Sequence, residues 1–174
     1  AVGHVFPLAF ATEPTRLPLL QAAWSSLCFD YVARQKLSGA HMTYGIVKQL
    51  PVPTPATFDE QLGWCADSLA AFVRPRVLEL AYTSHRMAGY ARDVLADGTE
   101  PGEPFRWLPD RRAQLIAELD AAMFHTYGLD RAAVEHVLDS FFVVRKYEER
   151  DLAEFRTRRL VLAAYDAMTE ATAS

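Results

Sequence analysis

Three prolines at alternate positions, Pro51, Pro53 and Pro55, limit how this chain can fold more than any other feature of its sequence. Each fixes its own φ, removes a backbone donor and pushes the residue before it out of the helical region. Neither a helix nor an interior strand can run through such a segment. The prolines therefore divide the chain into residues 1–55 and residues 56–174, and the two parts carry different patterns.

Before the prolines the pattern is mixed. Residues 4–10 form a short apolar stretch interrupted by Pro7, which reads as an edge or irregular strand. Thr15 offers an N-cap and Pro18 suits a first turn. Leu20, Ala23, Trp24, Leu27, Cys28 and Tyr31 then recur at helical spacing. Arg34, Gln35 and Lys36 close that helix, with cations at the negative end of its dipole and Gly39 as the C-cap. Residues 42–47 are β-branched and aromatic enough for a second short strand.

After the prolines the period is helical throughout. The spacing predicts helices over 58–72 and 77–95, separated by a kink at Arg74 and Pro75, and an acidic connector over 97–104. Asp110 reads as the cap of a helix that buries Leu115, Leu119, Ala122 and Met123 and stops before Gly128. Asp130 caps another, carrying Val134, Val137, Leu138 and Phe141. A last helix near 151–169 buries Leu152, Phe155, Leu162, Tyr165 and Met168. Phe105, Trp107, Phe141 and Phe142 are assigned to the core. The expected fold class is mainly α: a short strand-helix-strand N-terminal segment followed by a helical domain.

At 174 residues and 51% hydrophobic, the chain is large enough to bury a core without a disulfide or a structural metal. Cys28 and Cys65 lack the spacing of a zinc site or a disulfide framework, and read as small buried hydrophobes in a reducing, cytoplasmic setting. No apolar run reaches the roughly 18 residues of a membrane span. The opening AVGHVFPLAFA ends like a signal-peptide cleavage site, yet it has no basic region and holds Pro7, so it reads as a chain joined partway through a larger protein.

A net charge of −4 does not suit a free-standing nucleic-acid binder, because duplex affinity comes largely from cations that neutralise phosphates. The charge is uneven, however. Residues 1–55 carry four basic side chains against two acidic ones, and only this third is basic.

Several chemistries are excluded by their missing parts. There is no Pro-Pro for the amine-binding loop of an amino-methyltransferase and no Gly-rich turn for its cofactor. No lysine has an acid two positions before it, as a metal-dependent nuclease would need, and no phosphate-cradling Gly-x-x-x-x-Gly-Lys occurs. His125, His136 and Asp139 lie on neighbouring expected helices but lack the spacing of a helical ligand pair, and the histidines read as capping or surface residues rather than as metal ligands. Arg156, Arg158 and Arg159, interspersed with Glu148, Glu149, Asp151 and Glu154, read as a solvated, salt-bridged face rather than a phosphate contact.

The segment WSSLCFDYVARQKLSGAHMTYGIVKQLPVPTP, residues 24–55, is different. It brings Arg34, Gln35 and Lys36 together with the hydroxyls and imidazole of Ser38, His41, Thr43 and Tyr44, and then Lys48, equipment suited to gripping phosphates and reading base edges. A solvated helix end followed by a packed hairpin accounts for the same residues.

In Phe29-Asp30-Tyr31, Arg34-Gln35-Lys36, Gly39, Thr43-Tyr44 and Lys48-Gln49-Leu50-Pro51-Val52-Pro53, the segment resembles the end of the target-recognition domain of type IIG restriction-modification enzymes and related adenine-specific DNA methyltransferases, including those of phage-defence systems. The stretches 76–83, 118–122 and 126–129 resemble the helical C-terminal tail of the same group. The resemblance implies that residues 1–55 end a target-recognition domain and 56–174 form a helical C-terminal domain. The methyltransferase domain, which uses S-adenosylmethionine, would precede Ala1 in the parent chain. It further implies double-stranded DNA as a partner, with the target base flipped into that other domain. The DNA-binding residues implied are Arg34, Gln35, Lys36, Ser38, His41, Thr43, Tyr44 and Lys48, with no catalytic residue in this segment. A competing expectation is a helical protein-interaction module that docks a partner of a defence complex without touching DNA.

Overall fold

The computed structural model describes residues 11–37, 39, 42–95 and 99–173, and every regular element among them is a helix. A 3-10 turn at Pro14–Arg16 leads into α1 (Leu17–Ser25) and α2 (Leu27–Lys36), followed by the single turn α3 (Tyr44–Val47) and the short α4 (Pro55–Asp59). Next come α5 (Leu69–Ala81), a second 3-10 turn at His85–Met87, and α6 (Ala88–Leu95). The chain then forms α7 (Pro109–Thr126), α8 (Arg131–Asp139), α9 (Phe142–Leu152) and α10 (Arg156–Ala173). The one β feature among the described residues is an isolated bridge between Gln61 and Ser68.

The mainly α class holds, but the strand-helix-strand segment does not. The strand expected over 4–10 lies outside the described residues. Over 42–47 the backbone winds instead into α3, where the amides of Ile46 and Val47 donate to Thr43 O at 3.0 and 3.1 Å and that of Lys48 to Tyr44 O at 3.2 Å. A strand needs a ladder partner, whereas one helical turn satisfies its own backbone, so the β propensity of Tyr44, Ile46 and Val47 is overridden.

The single helix expected before the prolines is two, broken at Ser26. This residue adopts extended dihedrals (φ −74°, ψ 149°) and is buried; its hydroxyl donates to Ala23 O at 2.8 Å and accepts the Phe29 N–H at 3.2 Å. The next amide, Leu27 N–H, donates to Asp120 Oδ1 of α7 at 2.7 Å. Helical apolar spacing continues across the break, which is why periodicity alone conceals it. Thr15 does not cap α1; it lies in the 3-10 turn, and its carbonyl accepts Arg74 Nε at 3.1 Å. Leu37, not Gly39, closes α2 in an extended conformation. Trp24, expected on the buried face, is exposed.

Downstream boundaries shift for local reasons. Residues 60–68 interrupt the helix expected over 58–72: Gln61 Nε2 donates to the carbonyls of Cys65 and Ala66, and Ser68 caps α5 by accepting the Ala71 amide. α5 runs through Pro75 rather than ending there. Ala71, whose carbonyl loses its donor to the proline, is exposed along with Pro75, so water can take that acceptor. Asp110 stands in the first turn of α7 behind Pro109 and is not its cap. Residues 142–152 form α9, which the expected last helix had partly absorbed, and Ala153 separates it from α10 at φ 59°. Of the four aromatics assigned to the core only Phe141 is buried; Phe105, Trp107, Phe142 and also Leu152 are exposed.

The core is organised around α7, whose Leu115, Ala117, Leu119, Ala121, Ala122, Met123 and Phe124 are all buried. Its alanines let α10 lie close along it, and α10 contributes Val161, Leu162, Tyr165 and Met168. Leu19, Ala22 and Ala23 of α1 join the same cluster, as do Leu69, Val73 and Val77 of α5. α7 ends at Gly128 (φ 68°), where the amides of Leu129 and Gly128 bond Phe124 O and His125 O at 3.1 and 3.0 Å, the paired closure that favours glycine. Replacement of Ser26 by alanine is expected to cost about 1–2 kcal/mol, because it removes a buried cap. Gly128→Ala is expected to cost about 1 kcal/mol. Equilibrium urea denaturation measures both, and unchanged midpoints would show that neither boundary bears on stability.

Candidate functional site

The residues with DNA-binding character occupy the end of α2 and the segment that follows it. Arg34, Gln35 and Lys36 are exposed on the last turn of α2. Leu50 fastens the exit of α3 onto α2 by burying itself against Phe29 and Ala33, with Val32 and Val52 alongside, and Tyr127 Oη donates to Pro51 O at 3.0 Å. The proline segment thus serves as a strap across α2 and the end of α7.

The predicted residues differ in how free they are. Arg34 makes a two-pronged ion pair with Asp30, at 3.1 and 2.7 Å, and its guanidinium lies 4.9 Å from the Phe141 ring centre, so it is partly committed to the fold. That pairing raises the Arg34 pKa further. Lys36 and Lys48 form no ion pair among the described residues. Lys48 Nζ instead stands 4.5 Å over the ring of Tyr44, which is 72% exposed. Thr43 precedes α3 without capping it through its side chain. Ser38 and His41 lie outside the described residues.

Arginines elsewhere are mostly engaged. On α10, Arg156 pairs with Asp110, Arg158 with Glu135 and Asp139, and Arg159 with Glu154, all at 2.8–3.3 Å. The 156–159 cluster is salt-bridged, but of the acids that the sequence pointed to only Glu154 takes part; the other partners, Asp110, Glu135 and Asp139, come from α7 and α8. His125 stacks on Tyr165, with ring centres 4.1 Å apart, and its Nε2 donates to Tyr165 O at 3.1 Å; burial pulls its pKa down. His136 Nε2 lies 3.4 Å from Tyr31 Oη. Among the described residues no group of three His, Cys, Asp or Glu side chains is placed to hold a metal ion.

Asp120 is the residue that sequence reasoning missed. It is 3% exposed, lies on the apolar face of α7 in phase with Ala117 and Phe124, and caps α2 from outside. An acid inside an apolar stripe was the available signal. Burial pushes its carboxyl up to about 7, against the downward pull of the Leu27 N–H. It lines a cleft of about 220 Å³ together with Gln21, Ser25, Arg112 and the apolar side chains of Val77, Leu80, Ile116 and Leu119. A second cleft of about 290 Å³ lies between Cys28, Tyr31, Pro51, Tyr127 and Val137 and is almost wholly apolar. Burial pushes the Cys28 thiol up to about 11, so it stays protonated and unreactive there.

S-adenosylmethionine finds no fitting cradle in these residues. The strand and Gly-rich turn that would hold it are absent among the described residues, and neither cleft is bordered by a Gly-rich loop. No helix of the described residues is long and apolar enough to cross a membrane. No family model, curated protein or solved structure matches the chain.

The Asp120 carboxyl binds its proton more tightly in the folded chain than in the unfolded one. Its contribution to stability is therefore intact below about pH 4 and is lost as pH rises through about 7. Between pH 4 and pH 8 the protein should lose on the order of 2–4 kcal/mol relative to Asp120→Asn. Urea denaturation of both proteins across this range checks the sign, and a constant difference would contradict it.

Proposed function

We propose that this chain is the DNA-recognition and C-terminal helical region of a restriction-modification adenine-specific DNA methyltransferase, with the methyl-transfer chemistry carried by another domain of the parent protein. The observation that carries this reading is a pair of lysines with no carboxylate partner among the described residues, Lys36 at the end of α2 and Lys48 just after α3. Lys36 and Lys48 keep their charge available to phosphate, whereas the arginines of α10 are spent on local acids. Supporting it is the order of residues 29–53, which resembles the end of such recognition domains. Arg34 can add a third contact by exchanging Asp30 for phosphate. Tyr44, Gln35 and Thr43 supply the stacking and hydrogen-bonding groups that base reading requires.

One observation favours a second reading for the helical half. No residue of α9 is buried, and Phe142, Val143 and Tyr147 stand exposed on it, which suits a surface that docks on protein, either the methyltransferase domain or a defence-complex partner.

The two readings separate in binding experiments on the intact enzyme. Lys36→Ala and Lys48→Ala should weaken binding equally on cognate and unrelated duplexes, each reducing the slope of log affinity against log salt by about one. Changes at Ser38, His41 or Thr43 should alter which sequence is methylated, since a good base contact discriminates by roughly 1–3 kcal/mol. Unchanged salt slopes and unchanged sequence preference would remove DNA contact from this segment and leave the docking reading.

Incubated alone with labelled S-adenosylmethionine and duplex DNA, the chain should transfer no methyl group. Transfer above a protein-free control would overturn the division of labour.

A further inference from the structure

Asp120 uses only one of its two carboxyl oxygens. Oδ1 accepts the Leu27 N–H, and no donor from the described residues reaches Oδ2. Among the described residues no fully enclosed polar side-chain atom lacks a partner, so Oδ2 is not fully enclosed, and Asp120 lines the 220 Å³ cleft between α1, α5 and α7. A carboxyl group on a residue 3% exposed, with a free oxygen facing a cavity, is a costly arrangement to leave without a partner.

The cleft's own cation does not fill this role. Arg112, at the lining, donates Nη1 to Leu80 O at 2.8 Å, and its guanidinium lies 3.6 Å from the centre of the exposed Trp107 ring. The amide oxygen of Gln21 accepts from Tyr90 Oη at 3.3 Å. The remaining wall consists of Ser25 and Ser26 at one end, the latter's hydroxyl already engaged with Ala23 O and the Phe29 amide, and the aliphatic Ala22, Val77, Leu80, Ile116 and Leu119.

We propose that this cleft binds a primary ammonium group carried on an alkyl stem, with the nitrogen donating to Asp120 Oδ2 and the stem lying against Val77, Leu80, Ile116 and Leu119. An ammonium needs one acceptor oxygen at its tip, whereas a guanidinium gains its advantage from a fork onto two, and Oδ1 is already engaged by Leu27. The volume corresponds to roughly seven waters, room for a chain of about four to six carbons and its nitrogen. The same chemistry is offered by a free aliphatic amine and by a lysine side chain of a docked protein. Ionisation of Asp120 near neutral pH supplies the charge the ligand meets. The site is independent of the DNA reading.

The test is a titration of the whole chain with n-butylammonium chloride at pH 7.5 and constant ionic strength, read from the Leu27 amide and Asp120 carboxyl resonances. A saturable shift at millimolar concentration is expected, with n-butanol, which has the same stem and no charge, binding at least about tenfold more weakly. Asp120→Asn should weaken the amine by at least about tenfold. Ile116→Trp, which narrows the half-exposed wall and leaves Asp120 in place, should weaken it as well. Nα-acetyl-lysine N-methylamide distinguishes the sources: if it binds as tightly as the amine, the occupant is a partner's lysine, and if it fails while the amine binds, the occupant is a free amine. No saturable shift, equal binding of butanol, or full affinity in both variants would overturn the proposal.

Discussion

A hydrogen bond of 2.7 Å between the Leu27 N–H and the Asp120 carboxyl ties the central helix α7 to the point where α1 becomes α2. Without it and the Ser26 cap, the apolar spacing of residues 19–31 would let one helix run straight through, and the face carrying Cys28, Phe29 and Ala33 would keep the phase of α1. The break resets that phase. Leu19, Ala22 and Ala23 pack in the main core, while Phe29 and Ala33 join Leu50 in a separate cluster that holds the proline strap. The Ser26 cap, the Leu50 cluster and a buried acid on a helix almost a hundred residues away in sequence together fix α2, and with it the position of Arg34, Gln35 and Lys36.

Charge follows a similar division between structural and available groups. Arg16 is pinned to Glu13 and Asp59, Arg76 to Glu118 and Arg131 to Glu135 and Asp166, so a net charge of −4 coexists with many cations already neutralised locally. Exposed pairs of this kind add little stability, but they remove arginines from contact with anions in solution. Net charge is therefore a poor guide to where this chain can meet phosphate. Among the described residues Lys36 and Lys48 form no ion pair, whereas the denser arginines of α10 do.

Much of the helical half was legible because its signals are local. Asp130 caps α8 through the Ala133 amide, and Gly128 closes α7, as their positions in the sequence indicate. The apolar residues Leu115, Leu119, Val134, Val137 and Leu138 face the core for the same reason. What was hidden depends on distant partners. At the Ser26 break the local cap on the Phe29 amide is joined by Asp120, which takes the Leu27 amide from a distant helix. Residues 42–47 wind into a turn because no neighbouring strand among the described residues pairs with them, and α5 tolerates Pro75 because the freed carbonyl meets solvent. At the candidate site the exposed cations and Tyr44 could be named from sequence. The engagement of Arg34 with Asp30 could be anticipated only as an i, i+4 possibility, and Asp120 was overlooked because an acid at helical spacing usually lies on the wet face.

The central claim is that the chain meets duplex DNA through the end of α2 and the turn α3 rather than through its arginine-rich last helix. Amide hydrogen exchange of the whole protein, with and without duplex DNA, maps that surface directly. The account predicts slowed exchange on DNA binding within residues 34–48 and unchanged exchange across 156–159. Protection of α9 or α10 with none in residues 34–48 would contradict it.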